Sequence, residues 1–172
     1  MKERNNAATF QGNPLTLVGD EIQVGDSAPD FTVLQNDLSP ATLSNYEGKV
    51  LIFALVPSLD TPVCDMEIRR FNSEAAALGD DIRILTISMD LPFAQARWCG
   101  AAGVEAVQTL SDHRDASLGK GYGALIKELR LLTRAVFVVD RDGMIKHAEY
   151  VKEITEEPDY AAALEEARAA LG

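Results

Sequence analysis

Cys64 lies at the end of the stretch P-S-L-D-T-P-V-C, which follows the apolar run 50–56. Thr61 and Pro62 are residue types favoured at a helix N-cap and at the first helical position, which makes Cys64 the third helical residue. The partial positive charge of a helix N-terminus favours a thiolate, and only the thiolate is an effective nucleophile. The stretch therefore predicts an activated cysteine at a strand–helix junction.

Helical spacing supports a competing interpretation of the same cysteine. Intervals of four and three residues place Cys64 on one helix face with Ile68, Phe71, Ala75 and Leu78. That apolar face points towards the core, and free cysteines are often buried and chemically inert. Position alone does not decide between an activated and a structural cysteine.

Cys99 is the second of the two cysteines in the chain. It ends a short helix predicted over 92–99, with Gly100 as the residue that terminates it. A thiolate at a helix C-terminus faces the negative end of the dipole, so the two cysteines are expected to differ, one attacking and one resolving. Two unrelated cysteines are the alternative. No C-x-x-C motif and no zinc-ligand spacing is present, and a structural metal is not expected.

The elements that must position these cysteines alternate between strand and helix. The sequence predicts strands at 50–56, 82–88, 135–139 and 144–150, and helices at 65–78, 92–99 and 158–171. The order β-α-β-α-β-β-α indicates an α/β fold with parallel strands followed by an antiparallel hairpin, as in thioredoxin-like proteins. Residues 1–25 are predicted to form a β-hairpin arm, and G-K-G-Y-G at 119–123 a flexible turn.

Length and charge limit the possible functions. The 172 residues are expected to form one domain, and the net charge of −11 disfavours nucleic acid and anionic membranes as partners. No apolar run approaches the roughly 20 residues of a membrane span. The N-terminus has no hydrophobic stretch behind its charges, so a secretory signal is not expected and a cytoplasmic location is.

Pro57, Thr61 and Cys64 form the pattern P-x-x-x-T-x-x-C, and this pattern resembles the active-site signature of peroxiredoxins. Further segments resemble the bacterial thiol peroxidases, which are atypical two-cysteine peroxiredoxins. These segments include T-F-Q-G-N-P-L-T-L-V-G, V-G-D-S-A-P-D-F, F-A-Q-A-R-W-C-G and R-A-V-F-V-V-D, and the resemblance covers essentially the whole chain.

The resemblance implies a role for each matching residue. Cys64 would be the peroxidatic cysteine, oxidised by a hydroperoxide to a sulfenic acid, and Cys99 the resolving cysteine that forms an intramolecular disulfide with it. Thr61 would offer its hydroxyl to the sulfur and the peroxide, Pro57 would shield the pocket, and Arg134 would stabilise the thiolate and the charge developing on oxygen. Trp98 and the pair Met66-Glu67 depart modestly from the family pattern.

The resemblance also implies partners and substrates. Thioredoxin is the expected reductant, alkyl hydroperoxides are the expected substrates in preference to hydrogen peroxide, and a homodimer is the expected assembly in antioxidant defence. No metal, haem or flavin cofactor is implied. A disulfide needs Cα atoms within about 7 Å, and cysteines at the start of one helix and the end of another are expected to lie farther apart. One or both cysteine segments are therefore expected to unfold locally before the bond forms. A thiol–disulfide oxidoreductase, a redox-sensing binding protein and an interaction module with inert thiols are the alternatives.

Overall fold

The computed structural model describes residues 1–102 and 107–172, and the side chains of Ala75, Ala76 and Ala102 lie outside the described set. Its strands are β1 (Glu3–Phe10), β2 (Asn13–Val18), β3 (Thr32–Leu34), β4 (Pro40–Thr42), β5 (Val50–Leu55), β6 (Ile82–Ser88), β7 (Gln108–Ser111), β8 (Leu125–Ile126), β9 (Leu131–Leu132), β10 (Ala135–Val139) and β11 (Ile145–Tyr150). Its helices are α1 (Pro62–Leu78), α2 (Pro92–Ala102), α3 (Ser117–Gly121) and α4 (Tyr160–Ala169), with a 3-10 helix at Leu43–Tyr46.

Seven strands form a central mixed sheet in the order β11-β10-β5-β6-β7-β3-β4. β5 pairs in parallel with β6, which pairs in parallel with β7, and the other neighbours are antiparallel. Every residue of β5 is buried. A strand covered on both faces has no solvent side, which explains the uninterrupted apolar run that predicts β5.

The two faces of β5 belong to separate parts of the core. On one face, β5 packs with α4 and with the predicted apolar face of α1, whose buried residues are Cys64, Ile68, Phe71 and Leu78. Ala75, predicted on the same face, has its side chain outside the described set. On the other face, β5 contributes to a cluster of aromatic rings, Phe31, Phe53, Tyr122 and Phe137.

The N-terminal hairpin predicted from the sequence is present as β1 and β2. β8 and β9 extend it into a second sheet in the order β1-β2-β8-β9. β1 also contacts the segment before α4, because Thr9 N–H donates to Lys152 O at 2.7 Å and Ile154 N–H donates to Thr9 O at 3.0 Å. The hairpin is therefore joined to the segment between β11 and α4 as well as to β8.

The observed helix bounds differ from the predicted ones in α1, α2 and α4. α1 begins at Pro62, directly after its Thr61 cap, and not at residue 65. α2 continues to Ala102, because Gly100 does not adopt the left-handed backbone that ends a helix. Cys99 therefore lies within the last described turn and is not the final helical residue. α4 begins at Tyr160, capped by the Asp159 carboxylate, and ends at Ala169. Within the described residues, none of the helices is long and apolar enough to cross a bilayer.

The prediction of a flexible turn at 119–123 is wrong for residues 119–121, which are helical, whereas residues 122–123 form a turn. Residues Ser117–Gly121 form α3, and the Asp112 carboxylate accepts the N–H groups of Leu118 at 3.2 Å and Gly119 at 2.7 Å. A Cβ added at Gly119 would lie 2.6 Å from Leu132. The glycine there allows close packing between α3 and β9, and it does not mark a free loop.

Candidate active site

The first turn of α1 places Cys64 at the positive end of the helix. Thr61 caps α1 with an extended backbone, φ −113° and ψ 147°, and Pro62 is the first helical residue. Thr61 Oγ1 accepts the backbone N–H of Cys64 at 3.4 Å. Cys64 is therefore the third helical residue, as the sequence predicts, and its exposed fraction is 0%.

Arg134 supplies the charge that faces the Cys64 sulfur. Its Nη2 donates to Cys64 Sγ at 3.1 Å, and its Nε donates to Ile154 O at 2.9 Å, which fixes the guanidinium in place. Arg134 is 1% exposed, so water does not screen its charge. A cation fixed this close attracts negative charge that develops at the sulfur.

Glu67 is a buried acidic residue at the same site, and it was not assigned a role from the sequence. Its Oε1 lies 3.5 Å from Nη1 of Arg134, and its side chain is 0% exposed. Neither carboxyl oxygen has a hydrogen-bond partner among the described residues. Burial raises the pKa of Glu67 to about 8, against the lowering effect of Arg134. Glu67 follows Cys64 by three residues, so the two side chains lie next to each other along the helix. This spacing is the sequence feature that could have predicted Glu67 beside the sulfur.

The loop between β5 and α1 carries the other two predicted residues. Pro57 is buried at its start. The Thr61 hydroxyl donates to Ser58 O at 3.1 Å, so its proton is bonded within the loop and not to the sulfur. Leu59 belongs to the same apolar cluster as Cys64. The structure thus brings Thr61, Cys64 and Arg134 together, with Pro57 in the adjoining loop.

Cys99 lies in different surroundings from Cys64. It is half-buried, and its Sγ is 3.5 Å from Thr109 Oγ1. It lines a pocket of about 360 Å³ together with Asn36 and Gln108. Both cysteines are free thiols, so the structure represents the reduced dithiol form.

Metal-binding groups do not accompany these thiols within residues 1–102 and 107–172. There, His, Cys, Asp and Glu side chains do not gather in threes or more in a way that could hold a metal ion. A further pocket of about 540 Å³ is lined by Asp30, Lys49 and Asp140 and lies by the start of β5, away from Cys64. The groups gathered beside one another at the site are the Cys64 sulfur, the Arg134 guanidinium and the Glu67 carboxyl.

Comparison with known proteins decides the family. The Redoxin family model matches residues 23–164. The thiol peroxidase of Halalkalibacterium halodurans is 59% identical over 163 residues, which cover 95% of this chain and 98% of that protein. The chain belongs to the thiol peroxidases of the Redoxin family. The thiol peroxidase of Bacillus subtilis is 58% identical over 161 residues, which cover 94% of this chain and 96% of that one.

Solved structures confirm the fold class of this thiol peroxidase family member. A peroxiredoxin-like protein from Aquifex aeolicus matches with a TM-score of 0.89 and 38% identity, covering 96% of this chain and 97% of that one. The central mixed sheet with helices is thioredoxin-like, as predicted from the order of elements. The family resemblance stated from the sequence is confirmed, and the protein is a peroxidase of the peroxiredoxin type.

Proposed function

We propose that the enzyme reduces hydroperoxides through Cys64. The Cys64 thiolate attacks the terminal peroxide oxygen, the O–O bond breaks, and the departing oxygen takes a proton to leave as alcohol or water. The cysteine becomes a sulfenic acid. The observation that carries this proposal is the buried contact of 3.1 Å between Cys64 Sγ and Arg134 Nη2 at the N-terminus of α1.

Three neighbouring groups are proposed to assist this step. Arg134 stabilises the thiolate and then the negative charge that develops on oxygen, because its donors are already in place before the reaction. Thr61 exchanges its bond with Ser58 O for a bond to the bound peroxide. Pro57 helps to exclude water from the sulfur, in keeping with its buried position at the start of the loop.

We propose that Cys99 resolves the sulfenic acid. Its thiol attacks the Cys64 sulfur, water leaves, and an intramolecular disulfide forms. Cys64 is fully buried and Cys99 lines a separate pocket beside Thr109. These different surroundings support a local unfolding of one or both segments before the disulfide forms.

An external dithiol must then reduce the disulfide, because Cys64 and Cys99 are the two cysteines of the chain. Thioredoxin is the proposed reductant, on the basis of the family. Alkyl hydroperoxides are the proposed substrates in preference to hydrogen peroxide, since the cluster around Cys64 is apolar and suits an alkyl group. On the basis of the family, the enzyme is also proposed to be a cytoplasmic homodimer that acts in antioxidant defence.

A coupled assay with NADPH, thioredoxin reductase, thioredoxin and cumene hydroperoxide tests this function. Cys64→Ser is expected to fall to the rate without enzyme. Cys99→Ser is expected to lose thioredoxin-coupled turnover but to form one sulfenic acid per chain, which dimedone traps. Activity retained in Cys64→Ser would refute the role of Cys64, and sulfenic acid absent from Cys99→Ser would refute the order of the two cysteines. The same assay with hydrogen peroxide tests the substrate preference separately.

A further inference from the structure

The carboxylate of Asp90, in the connection between β6 and α2, accepts hydrogen bonds from the loop before Cys64. Its Oδ1 accepts the hydroxyl proton of Ser58 at 2.8 Å. Its Oδ2 accepts the backbone N–H of Leu59 at 2.8 Å and the hydroxyl proton of Ser88 at 2.7 Å. Hydrogen bonds to a carboxylate are stronger than those between neutral groups. One side chain thus holds two chain segments together.

The same network reaches the helix that carries Cys99. Ser88 Oγ accepts an Nε2 proton of Gln95 at 3.0 Å, and Gln95 Nε2 also donates to Leu110 O at 2.9 Å. Gln95 is fully buried and lies about one helical turn before Cys99 in α2. Hydrogen bonds therefore run from the Cys64 loop through Asp90 and Ser88 to the Cys99 helix.

We propose that Asp90 is a positioning residue that holds both cysteine segments in the reduced arrangement, and that its release governs how fast Cys99 reaches the oxidised Cys64. This inference rests on the proposed function. Asp90 is not among the groups that contact the Cys64 sulfur, so it acts through the loop and not on the reacting atoms. Its hydrogen bonds must break if the loop and α2 are to move towards each other.

Two reactions compete for the sulfenic acid, and only the first of them requires those hydrogen bonds to break. Cys99 attacks the sulfur, expels water and forms the disulfide. Alternatively, a second hydroperoxide transfers one oxygen atom to the sulfur and leaves as alcohol, which converts the sulfenic acid to sulfinic acid. The longer the hydrogen bonds of Asp90 persist, the more often the second reaction occurs. The Asp90 network therefore sets the peroxide concentration at which the enzyme becomes irreversibly oxidised.

Asp90→Asn tests this role, because it keeps the side-chain size but replaces one acceptor oxygen with a donor. Reduced protein is mixed with increasing cumene hydroperoxide, quenched, and analysed by intact mass for disulfide and sulfinic acid. The disulfide-to-sulfinate ratio at a fixed peroxide concentration is expected to rise roughly fivefold, the effect of losing about one net hydrogen bond. Ser58→Ala, which removes one of the three bonds, should raise the ratio by a smaller factor.

Asp140→Asn is the matched control. The Asp140 carboxylate accepts the N–H groups of Asp142 and Met144, both at 2.9 Å, in the turn between β10 and β11. This variant should lose stability without changing the disulfide-to-sulfinate ratio, which separates a positioning role from general destabilisation.

The possible outcomes separate the inference from the function on which it rests. An unchanged ratio in Asp90→Asn and Ser58→Ala would overturn the role of Asp90, and so would a lower ratio, which would mean that Asp90 aligns the cysteines for bond formation. If Asp90→Asn does not fold, Ser58→Ala decides. Wild type that forms no disulfide between its cysteines would instead overturn the proposed function.

Discussion

Arg134 lies beside two acidic groups that are buried away from water, the Cys64 thiol and the Glu67 carboxyl. Its Nη2 contacts the Cys64 sulfur at 3.1 Å, and its Nη1 lies 3.5 Å from Glu67 Oε1. One guanidinium neutralises one anion, so ionisation of both groups would leave an uncompensated negative charge in the core. Burial raises the pKa of Glu67 to about 8, so the carboxyl is protonated at neutral pH. The positive charge of Arg134 is then available to the sulfur.

Glu67→Gln should change how stability depends on pH. The folded-state pKa of Glu67 is raised from 4.5 to about 8, so the folded protein keeps a proton that the unfolded chain has lost. Wild-type stability attributable to Glu67 should therefore fall as pH rises through this window, by up to about 1.4 kcal/mol per pH unit. Glutamine cannot ionise, so the variant should gain stability relative to wild type as pH rises.

Urea unfolding at several pH values across this window measures that difference. Glu165→Gln, at an exposed position of α4, is the control and should follow the wild-type pH dependence. A constant difference in the free energy of unfolding between Glu67→Gln and wild type would contradict the assignment.

At the scale of elements, α1 was predictable because three independent signals agree. Thr61 caps the helix, Pro62 begins it, and the apolar spacing from Cys64 continues it. The end of α2 was not predictable in the same way, because Gly100 suits a helix terminus but does not require one. β7 and β8 are short, and they pair with β6 and β2, strands that lie well before them in the sequence, which local patterns do not reveal. β9 has two residues and pairs with its neighbour β8, so it is too short to show a strand pattern.

Thr61→Ala should weaken both the helix and its chemistry. It removes the acceptor for Cys64 N–H and the donor to Ser58 O, and the lost cap should cost about 0.5–2 kcal/mol in the free energy of unfolding. The rate of sulfenic acid formation with cumene hydroperoxide should fall by roughly tenfold or more. Urea unfolding and stopped-flow kinetics measure the two effects.

Two control variants separate the loss of the helix cap from the loss of the Thr61 hydroxyl. Thr61→Ser keeps the hydroxyl and should retain most of the stability and rate. Asp159→Ala removes the cap of α4, whose carboxylate accepts Ala162 N–H at 3.0 Å, so it should lose stability without slowing the peroxide step. A rate loss in Asp159→Ala equal to that of Thr61→Ala would show that helix stability, and not the Thr61 hydroxyl, controls the chemistry.

At the scale of the whole molecule, the N-terminal hairpin helps to position Arg134. Thr9 pairs with the segment 152–154, and Ile154 O accepts the Nε proton of Arg134. The sequence predicted the hairpin from its turn and β-prone residues. It could not predict where the hairpin attaches, because hydrogen bonds between backbone groups leave no side-chain pattern. The same limit applies to Arg134, which was identified by family resemblance and not by its local sequence.

Gly19→Ala should loosen the second sheet from the rest of the fold. Gly19 has φ +104°, and a Cβ there would lie 2.1 Å from Lys120 O. Gly12→Ala is the control, because Gly12 also has a positive φ, +83°, but has nothing within 4 Å of the added Cβ. Both variants bear a backbone cost, and Gly19→Ala should lose about 2 kcal/mol more in the free energy of unfolding. Equal losses by urea unfolding would show that the close approach at Gly19 relaxes easily.

The complete burial of Cys64 affects how its reactivity can be measured. A residue with 0% exposed surface is out of contact even with water-sized molecules, so hydroperoxides and thiol-labelling reagents alike must wait for the loop before α1 to open. Such reagents can label Cys64 only during moments when the loop opens, so their labelling rates report the frequency of opening and not the nucleophilicity of the sulfur. Comparison between labelling reagents of different size therefore becomes a measure of how far, and how often, this loop opens.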